Sequence, residues 1–475
     1  MIDLQFAWIE TAILVPFVAA LFCSKRFPLR VRYWLSFGAA GLTFALALGA
    51  WWDFKQLRVF EAHDHWDVLN FLSGDFVFLI DEFNAPLIPL VCAVYWLVIL
   101  VTPTSKRARF PWRLTFVSLG LTVALLSCRS NWWILGLLAV HSVVPVIELI
   151  ERKQVWQLFA AFQCASLISM ATGLFLINGQ AVDERLNLVG LVLLVIGCWL
   201  RCGCFPFHLW VLDLTSRASL ATAILYLTPM MGAFAIVRLL LPTAPDFVLQ
   251  VLGILSLASA IYASCMLLVQ TCTRRFFAYM YLSNQSLLLI GLELVNPVGL
   301  TGSLSLWMSQ ATSLVAFGMT IRAIEGRVGR VLLDRFHGLY EQMPLLAGFF
   351  MLAGLASIGF PGTSGFIASE LLIEGVVNVY SRTGFLVVFV MALNGIAALK
   401  AYCRLFTGHE APATISMQPR WYERLAIVAF SVFILVSGLL PGPGVMTRYH
   451  AAQELLNRRT TTLTQPLIDE ENHEH

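Results

Sequence analysis

Charge is what this chain has least of. Asp, Glu, Lys and Arg make up 12% of its 475 residues, about half the roughly 25% of a soluble domain. With 59% hydrophobic residues and a mean hydropathy of +0.78, that deficit excludes a water-soluble globule and predicts a polytopic helical membrane protein. The formal net charge of +3 is too small to argue for a nucleic-acid partner. No Lys/Arg-led segment with a small-residue cleavage site opens the chain, so Leu4 to Cys23 reads as a first span rather than a removed signal. Nucleotide-binding glycine loops, quinone-specific motifs and haem or iron–sulfur ligation patterns are missing too. No cofactor and no redox or hydrolytic centre of its own is expected, and at most a translocase subunit.

Clustered cysteine is also scarce. Of ten cysteines, Cys23, Cys92, Cys164, Cys198, Cys265 and Cys403 lie alone in apolar runs, where the thiol is a small hydrophobe. Cys202 and Cys204, with Cys198 one turn earlier, are the one cluster. They lack paired His or further Cys at ligand spacing, so no metal site is expected.

What stands out against the hydrocarbon is the stretch Arg201 to Asp213. An almost wholly apolar run from Leu188 to Leu200 is followed by Arg201, a glycine between two cysteines, Pro206, His208 and Asp213. A proline inside a membrane helix removes a backbone hydrogen bond and breaks the helix. Broken backbone at membrane depth survives only inside protein or around a wet cavity. A second interruption, Gly359 to Gly365 with Pro361 and Gly362, splits the apolar run from Leu345 and is followed by Glu370. Two Gly/Pro-interrupted spans, one in each half, are the sequence mark of an inverted-repeat transporter.

At about 20 residues per span the chain divides into about 14 transmembrane helices, with Asn187 to Asp213 and Leu345 to Glu370 as the broken ones. Clusters such as Lys106/Arg107/Arg109, Arg152/Lys153, Arg274/Arg275 and Arg322 to Arg335 fall on alternate loops. The positive-inside rule then makes those loops cytoplasmic and leaves both termini outside. The expected fold is all-α: a single transmembrane domain over 1–460, two inverted five-helix repeats at about 111–241 and 247–408, and a disordered tail at 461–475. Residues 445–460 suit a short interfacial helix. The expected location is a cell (inner) membrane, multi-pass, in the lipid bilayer.

Phe205 to Asp213 resembles the phenylalanine–proline–x–histidine–x–tryptophan signature of the antiporter-like membrane subunits of respiratory complex I. Relatives of that family are the multisubunit sodium/proton antiporters and membrane-bound hydrogenases. Gly359 to Phe366 resembles the family's second break, and His337 to Pro344 the loop before it. The resemblance spans about residues 75 to 410. It implies a proton or cation path along a hydrated central axis of lysines, histidines and acids.

Carried over position by position, that axis is depleted. The lysine before the first break falls on Arg201, the fifth-span glutamate on Val140 beside His141, and a sixth-span basic residue on Gln163. The eighth-span lysine falls on Met230, the eleventh-span histidine and lysine around Gln310 and Leu314, and the residue of the second break on Ser369, next to Glu370. Arginine keeps its charge but does not release its proton, so Arg201 is a fixed counter-charge. His141 is either a substitute proton carrier or an interhelical hydrogen-bonder. Glu370 is either a titrating carboxyl or an interfacial one, and Lys400 reaches toward the axis while Arg404 stays interfacial. His208 and Asp213 hold the broken turn or lie on the path. Asp81 and Glu82 read as outer-mouth residues. Ser309, Gln310, Thr312 and Ser313, with Ser283, Asn284 and Gln285, form a neutral polar face that either wets a passage or bonds helices together.

The resemblance implies a proton- or cation-translocating subunit of a larger membrane complex. Its partners would be other membrane subunits and a redox or cytoplasmic carbonic-anhydrase-like subunit, the latter as in two-part inorganic-carbon (DAB-type) complexes. The competing reading is a degenerate, non-conducting scaffold that anchors such a partner.

Overall fold

The computed structural model describes residues 3–23, 27–64, 77–178, 184–408 and 417–473. Apolar runs bounded by Pro, Gly and charge become helices, as intramembrane backbone must satisfy itself. The first are α1 (Trp8–Phe22), α2 (Leu29–Leu57), α3 (Leu87–Val101), α4 (Trp112–Ser127), α5 (Asn131–Glu151) and α6 (Gln157–Asn178). The first broken span is α7 (Glu184–Cys202) followed by α8 (Leu209–Arg217). Next come α9 (Leu220–Leu227), α10 (Met231–Ala235) with a π turn at Ile236–Leu240, α11 (Asp246–Val269), α12 (Thr273–Leu292) and α13 (Pro297–Val328). The second broken span is α14 (Pro344–Ser357) and α15 (Gly365–Val379), and α16 (Ser381–Phe406), α17 (Trp421–Leu439) and α18 (Gly442–His473) complete the chain.

Among the described residues, nine helices are long and apolar enough to cross a bilayer, and apolar helices such as α1, α3, α4 and α14 are shorter. The fourteen crossings expected are not reached by that measure. Both expected breaks are present, with six or seven residues of non-helical chain between the halves. The first break separates α7 from α8 and the second separates α14 from α15.

The helical fold carries one short hairpin: Glu61–His63 (β1) pairs antiparallel with Leu79–Asp81 (β2), Ala62 opposite Ile80. Single bridges tie Asp3 to His63 and Phe78 to Cys128. α18 continues to His473; residues 474 and 475 lie outside the described residues.

α18 straps the hairpin end of the molecule. Arg448 is buried and donates to the carbonyls of Phe83 (2.8 Å) and Glu82 (2.6 Å). Arg459, also buried, bonds Asp246 and the carbonyl of Leu241. At the opposite, basic-loop end, Arg274 meets Glu325 through two bonds of 2.8 and 2.7 Å, and Arg327 meets Glu423 at 2.5 Å. Paired ions therefore close both ends.

α13 forms the spine between them. Asn296 caps it by accepting from Gly299 N at 2.6 Å, and Pro297 sits at its first position, where a missing N–H costs nothing. Its 32 residues span about 48 Å, beyond the roughly 30 Å hydrocarbon core. The helix is buried along most of its length. α6 and α7 lie backbone to backbone: Ser166 Oγ donates to Gly197 O at 2.8 Å, and a Cβ at Gly197 would stand 2.5 Å from Met170 Cγ. Only glycine permits that approach, which holds the end of α7 in place.

Candidate functional site

Arg201 lies in the last turn of α7 and is 4% exposed. Its Nη1 donates to Ser142 Oγ at 2.6 Å and to Gln163 Oε1. Ser142 spends its own hydrogen on Leu138 O, 2.7 Å away, so its lone pairs are free to face the guanidinium. The Tyr226 hydroxyl donates toward the same two oxygens at 3.5 and 3.4 Å, and the guanidinium carbon stands 5.6 Å from its ring centre. No carboxylate forms an ion pair with Arg201 among the described residues, and its Nη2 has no protein partner.

His141 belongs to this cluster. It is fully buried and stacks on Tyr226 with ring centres 4.8 Å apart and planes at 11°. Its Nε2 is 3.4 Å from Thr122 Oγ1, whose hydrogen is committed to Ser118 O at 2.7 Å. The neutral ring therefore donates from Nε2 and keeps an Nδ1 lone pair with no protein partner. Val140, where the family resemblance set the fifth-span acid, is 52% exposed. One step along a helix turns a side chain by about 100°, so His141 faces inward and Val140 faces out.

Of two further expected positions, Gln163 joins this cluster and Met230 marks another interruption. Gln163 is buried and is the neutral acceptor for Arg201. Met230 is buried at φ 53°, between α9 and α10, so the eighth span is interrupted as well. Trp307 Nε1 donates to the freed Pro229 carbonyl at 3.3 Å. Gly232, just beyond, abuts the first break: a Cβ there would come 2.7 Å from Cys202 Sγ. The signal for this third interruption is Pro229 in an otherwise apolar run.

The breaks themselves are built from glycine and proline. Gly203 (φ 67°), Gly359 (φ 77°) and Gly362 (φ 83°) hold left-handed backbone that other residues adopt at a cost. His208 bonds the Tyr262 hydroxyl at 3.2 Å, and Asp213 pairs with Arg217 at 2.5 Å, one turn on. Neither bonds Arg201: His208 ties the first break to α11, and Asp213 pairs within α8. Pro206 sits in the first gap; Pro361 and Gly362 sit in the second.

In the second half the polar face is neutral and buried. Asn394 and Ser283 bond each other at 2.8 and 3.1 Å, Gln310 donates to Asn284 at 3.4 Å, and Ser309 meets Ser364 at the second break at 2.9 Å. Leu314 is core, and Ser369 bonds Phe366 O at 2.8 Å.

The structure does not bring Glu370 and Lys400 to this axis. Glu370 is exposed, one helical step past buried Ser369. Lys400 is exposed and donates to Leu268 O at 2.9 Å. Arg404 lies over the Phe336 ring at 4.5 Å. Asp81 is not an open mouth residue: it is 2% exposed and pairs with Arg238 at 2.7 Å. Glu82 offers its carbonyl to Arg448. Sequence reading missed Glu148, which pairs with Arg152 at 2.6 Å, and Glu293, buried at the end of α12.

Comparison with known proteins agrees with this architecture. NADH-quinone oxidoreductase subunit M of Rickettsia prowazekii is 27% identical over 259 residues, 53% of this chain and 52% of that protein. The chain thus spans about half the length of that relative. NAD(P)H-quinone oxidoreductase chain 4 3 of Trichormus variabilis is 23% identical over 488 residues, 93% of this chain and 88% of that one. The fold superimposes on a chain of respiratory complex I from Thermus thermophilus with TM-score 0.82 and 19% identity, covering 95% of this chain and 99% of that one. It superimposes on a chain of the Mrp complex from Dietzia sp. DQ12-45-1b with TM-score 0.80 and 17% identity, covering 96% and 98%. These names do not support the inorganic-carbon assignment. The model of the transmembrane family "NADH:quinone oxidoreductase/Mrp antiporter" matches residues 156–394, half of the sequence and both breaks, and the chain belongs to that family.

Proposed function

We propose that this protein is a proton-translocating, antiporter-like subunit of a larger membrane complex, with Arg201 as the electrostatic gate of its path. The observation that carries this is a buried guanidinium held only by neutral oxygens. Membrane proteins rarely keep an unpaired charge inside, and one that persists marks a path. Buried polar atoms in native proteins find partners. Those without a protein partner here run from Gln163 Nε2 and His141 Nδ1 to Asn284 Nδ2, Gln310 Oε1 and Ser313 Oγ, and water would complete them. A proton moves along such water, with the His141 lone pair as a station. A second positive charge about 5 Å from Arg201 costs about 3 kcal/mol at an effective dielectric near 20, about a hundredfold in rate. A conformational change relayed by a partner subunit would raise or lower that barrier. By the charge of its loops, the hairpin end is the outer face.

The test is proton flux in vesicles holding the purified chain with its co-purifying subunits. Arg201→Met keeps bulk and removes the charge, and flux should rise about 10- to 100-fold. Glu370→Gln, on the exterior, should leave flux unchanged. Wild type and Arg201→Met both indistinguishable from empty vesicles would overturn conduction and leave the scaffold reading.

A further inference from the structure

Glu293 combines features that stability alone would select against. It follows the last residue of α12, with its N–H on Leu289 O at 3.1 Å, so its carboxyl sits at the negative end of the helix. It is also 2% exposed. One oxygen, Oε2, accepts from buried Ser256 at 2.9 Å, while Oε1 has no protein partner. No basic side chain pairs with it among the described residues. Glu148, Glu325, Glu423 and Asp81, also buried, each meet an arginine.

The carboxyl lines a cavity of about 170 Å³ at the hairpin end, between α11, α12, α15 and α16. That is room for several waters. Besides Glu293, the polar groups on its wall are Asp246, Gln250, Tyr380 and Thr383. Asp246 is already held by Arg459 from α18. On the inward side, Glu293 lies within electrostatic reach of Cys202, which ends α7 beside Arg201, and of Cys204 in the first break. Cys204 Sγ in turn is 3.8 Å from Ser286 Oγ on α12.

We infer that Glu293 is the proton-binding site joining the Arg201 axis to the hairpin-end face. A hydronium ion in the cavity gives its proton to Oε1, its O–H bond breaking as the carboxyl O–H forms and a water molecule staying behind. The carboxyl O–H then breaks as the proton passes to water on the side of the first break. The titratable groups facing it are Asp246, paired with Arg459, the neutral thiols of Cys202 and Cys204, and the Tyr380 phenol. The inference rests on the conduction reading, but one of its readouts does not.

The first readout is chemical. N,N′-dicyclohexylcarbodiimide adds to protonated carboxyls in apolar surroundings, and mass spectrometry of the labelled full chain locates the adduct. Glu293 should be modified at neutral pH at least tenfold faster than Asp81, Glu148, Glu325 and Glu423. Equal or slower labelling overturns the inference whether or not the chain conducts. The second readout is flux: Glu293→Gln should lower it tenfold or more, with Glu293→Asp recovering part. A conducting wild type with an unaffected Glu293→Gln variant overturns the inference and leaves the conduction reading intact. A wild type that conducts nothing, yet labels at Glu293, overturns the inferred passage along with the conduction reading.

Discussion

Arg201 and Arg238 both place largely buried side chains beside aromatic rings, and the protein treats them in opposite ways. Arg238, in the π turn after α10, gives Nη1 to Asp81 Oδ2 at 2.7 Å and lies 5.0 Å from the Phe83 ring centre. Arg201 has a tyrosine ring at 5.6 Å but only a serine and a glutamine for oxygen. Arg238 meets an opposite charge; Arg201 meets none among the described residues, and under the proposed function that is what separates a charge that holds the fold from one that guards a path. Removing one member of a buried pair costs about 3–5 kcal/mol, because the survivor is left uncompensated. Asp81→Asn should therefore be the most destabilising change, read as a large drop in thermal midpoint in detergent. Asp81→Leu with Arg238→Met should recover part of the loss, since the two charges go together. A midpoint unmoved by Asp81→Asn would break the contrast at its structural end. Burial pushes the Asp81 carboxyl up, yet Arg238 and Asn84 hold it below the usual range. Its contribution is thus present above the ordinary carboxylate pKa and is lost only as pH falls through the lowered value.

Asp64 sharpens the same contrast from the acidic side. It follows β1, is 4% exposed, and accepts from Glu10 N in the first turn of α1 at 2.7 Å. It forms no ion pair with a basic side chain among the described residues. Burial pushes its carboxyl up to about 7, against the pull of the α1 backbone N–H groups. Between about 4 and 7 the folded state then binds more protons than the unfolded chain, so stability falls as pH rises through that window. The loss is on the order of a few kcal/mol. Asn caps helices as well as Asp does, so Asp64→Asn should keep the contact and flatten the curve. Melting both proteins from pH 4.5 to 8 checks this, and parallel curves would refute it.

How much of this was legible follows from how local each signal is. The two breaks were readable because Pro206, Pro361 and their glycines act on backbone within a turn of themselves. Pro229 carried the same signal for the third interruption. Arg201 was readable because a charge at the end of a long apolar run is costly in a bilayer and so marks function by default. Side-chain direction was not readable to one residue. Val140 against His141 and Glu370 against Ser369 differ by one helical step, and packing against distant helices sets that phase. Glu293 was missed for a related reason: its burial is made by α11, about forty residues earlier in the chain, and by the cavity wall from α15 and α16. The strap of α18 depends on Arg448 and Arg459 reaching carbonyls more than two hundred residues away.

The smallest change tests the central claim most directly. Gln163→Glu gives Arg201 what Arg238 already has, one carboxylate in place of one amide, at nearly constant volume. If the guanidinium matters as an uncompensated charge, the new acid should cancel its field on the axis and raise proton flux about tenfold, about 1.4 kcal/mol of barrier. Arg201→Met reaches the same end by deleting the charge, but it also alters packing and frees Ser142 and Gln163. Gln163→Glu leaves those contacts in place and adds a charge-assisted bond, worth about 1.5–3 kcal/mol, so it should melt no lower than wild type. Higher flux in both variants means that the charge is the gate. Higher flux in Arg201→Met alone would mean that a packing defect leaks, and Arg201 would then be the structural residue that Arg238 is.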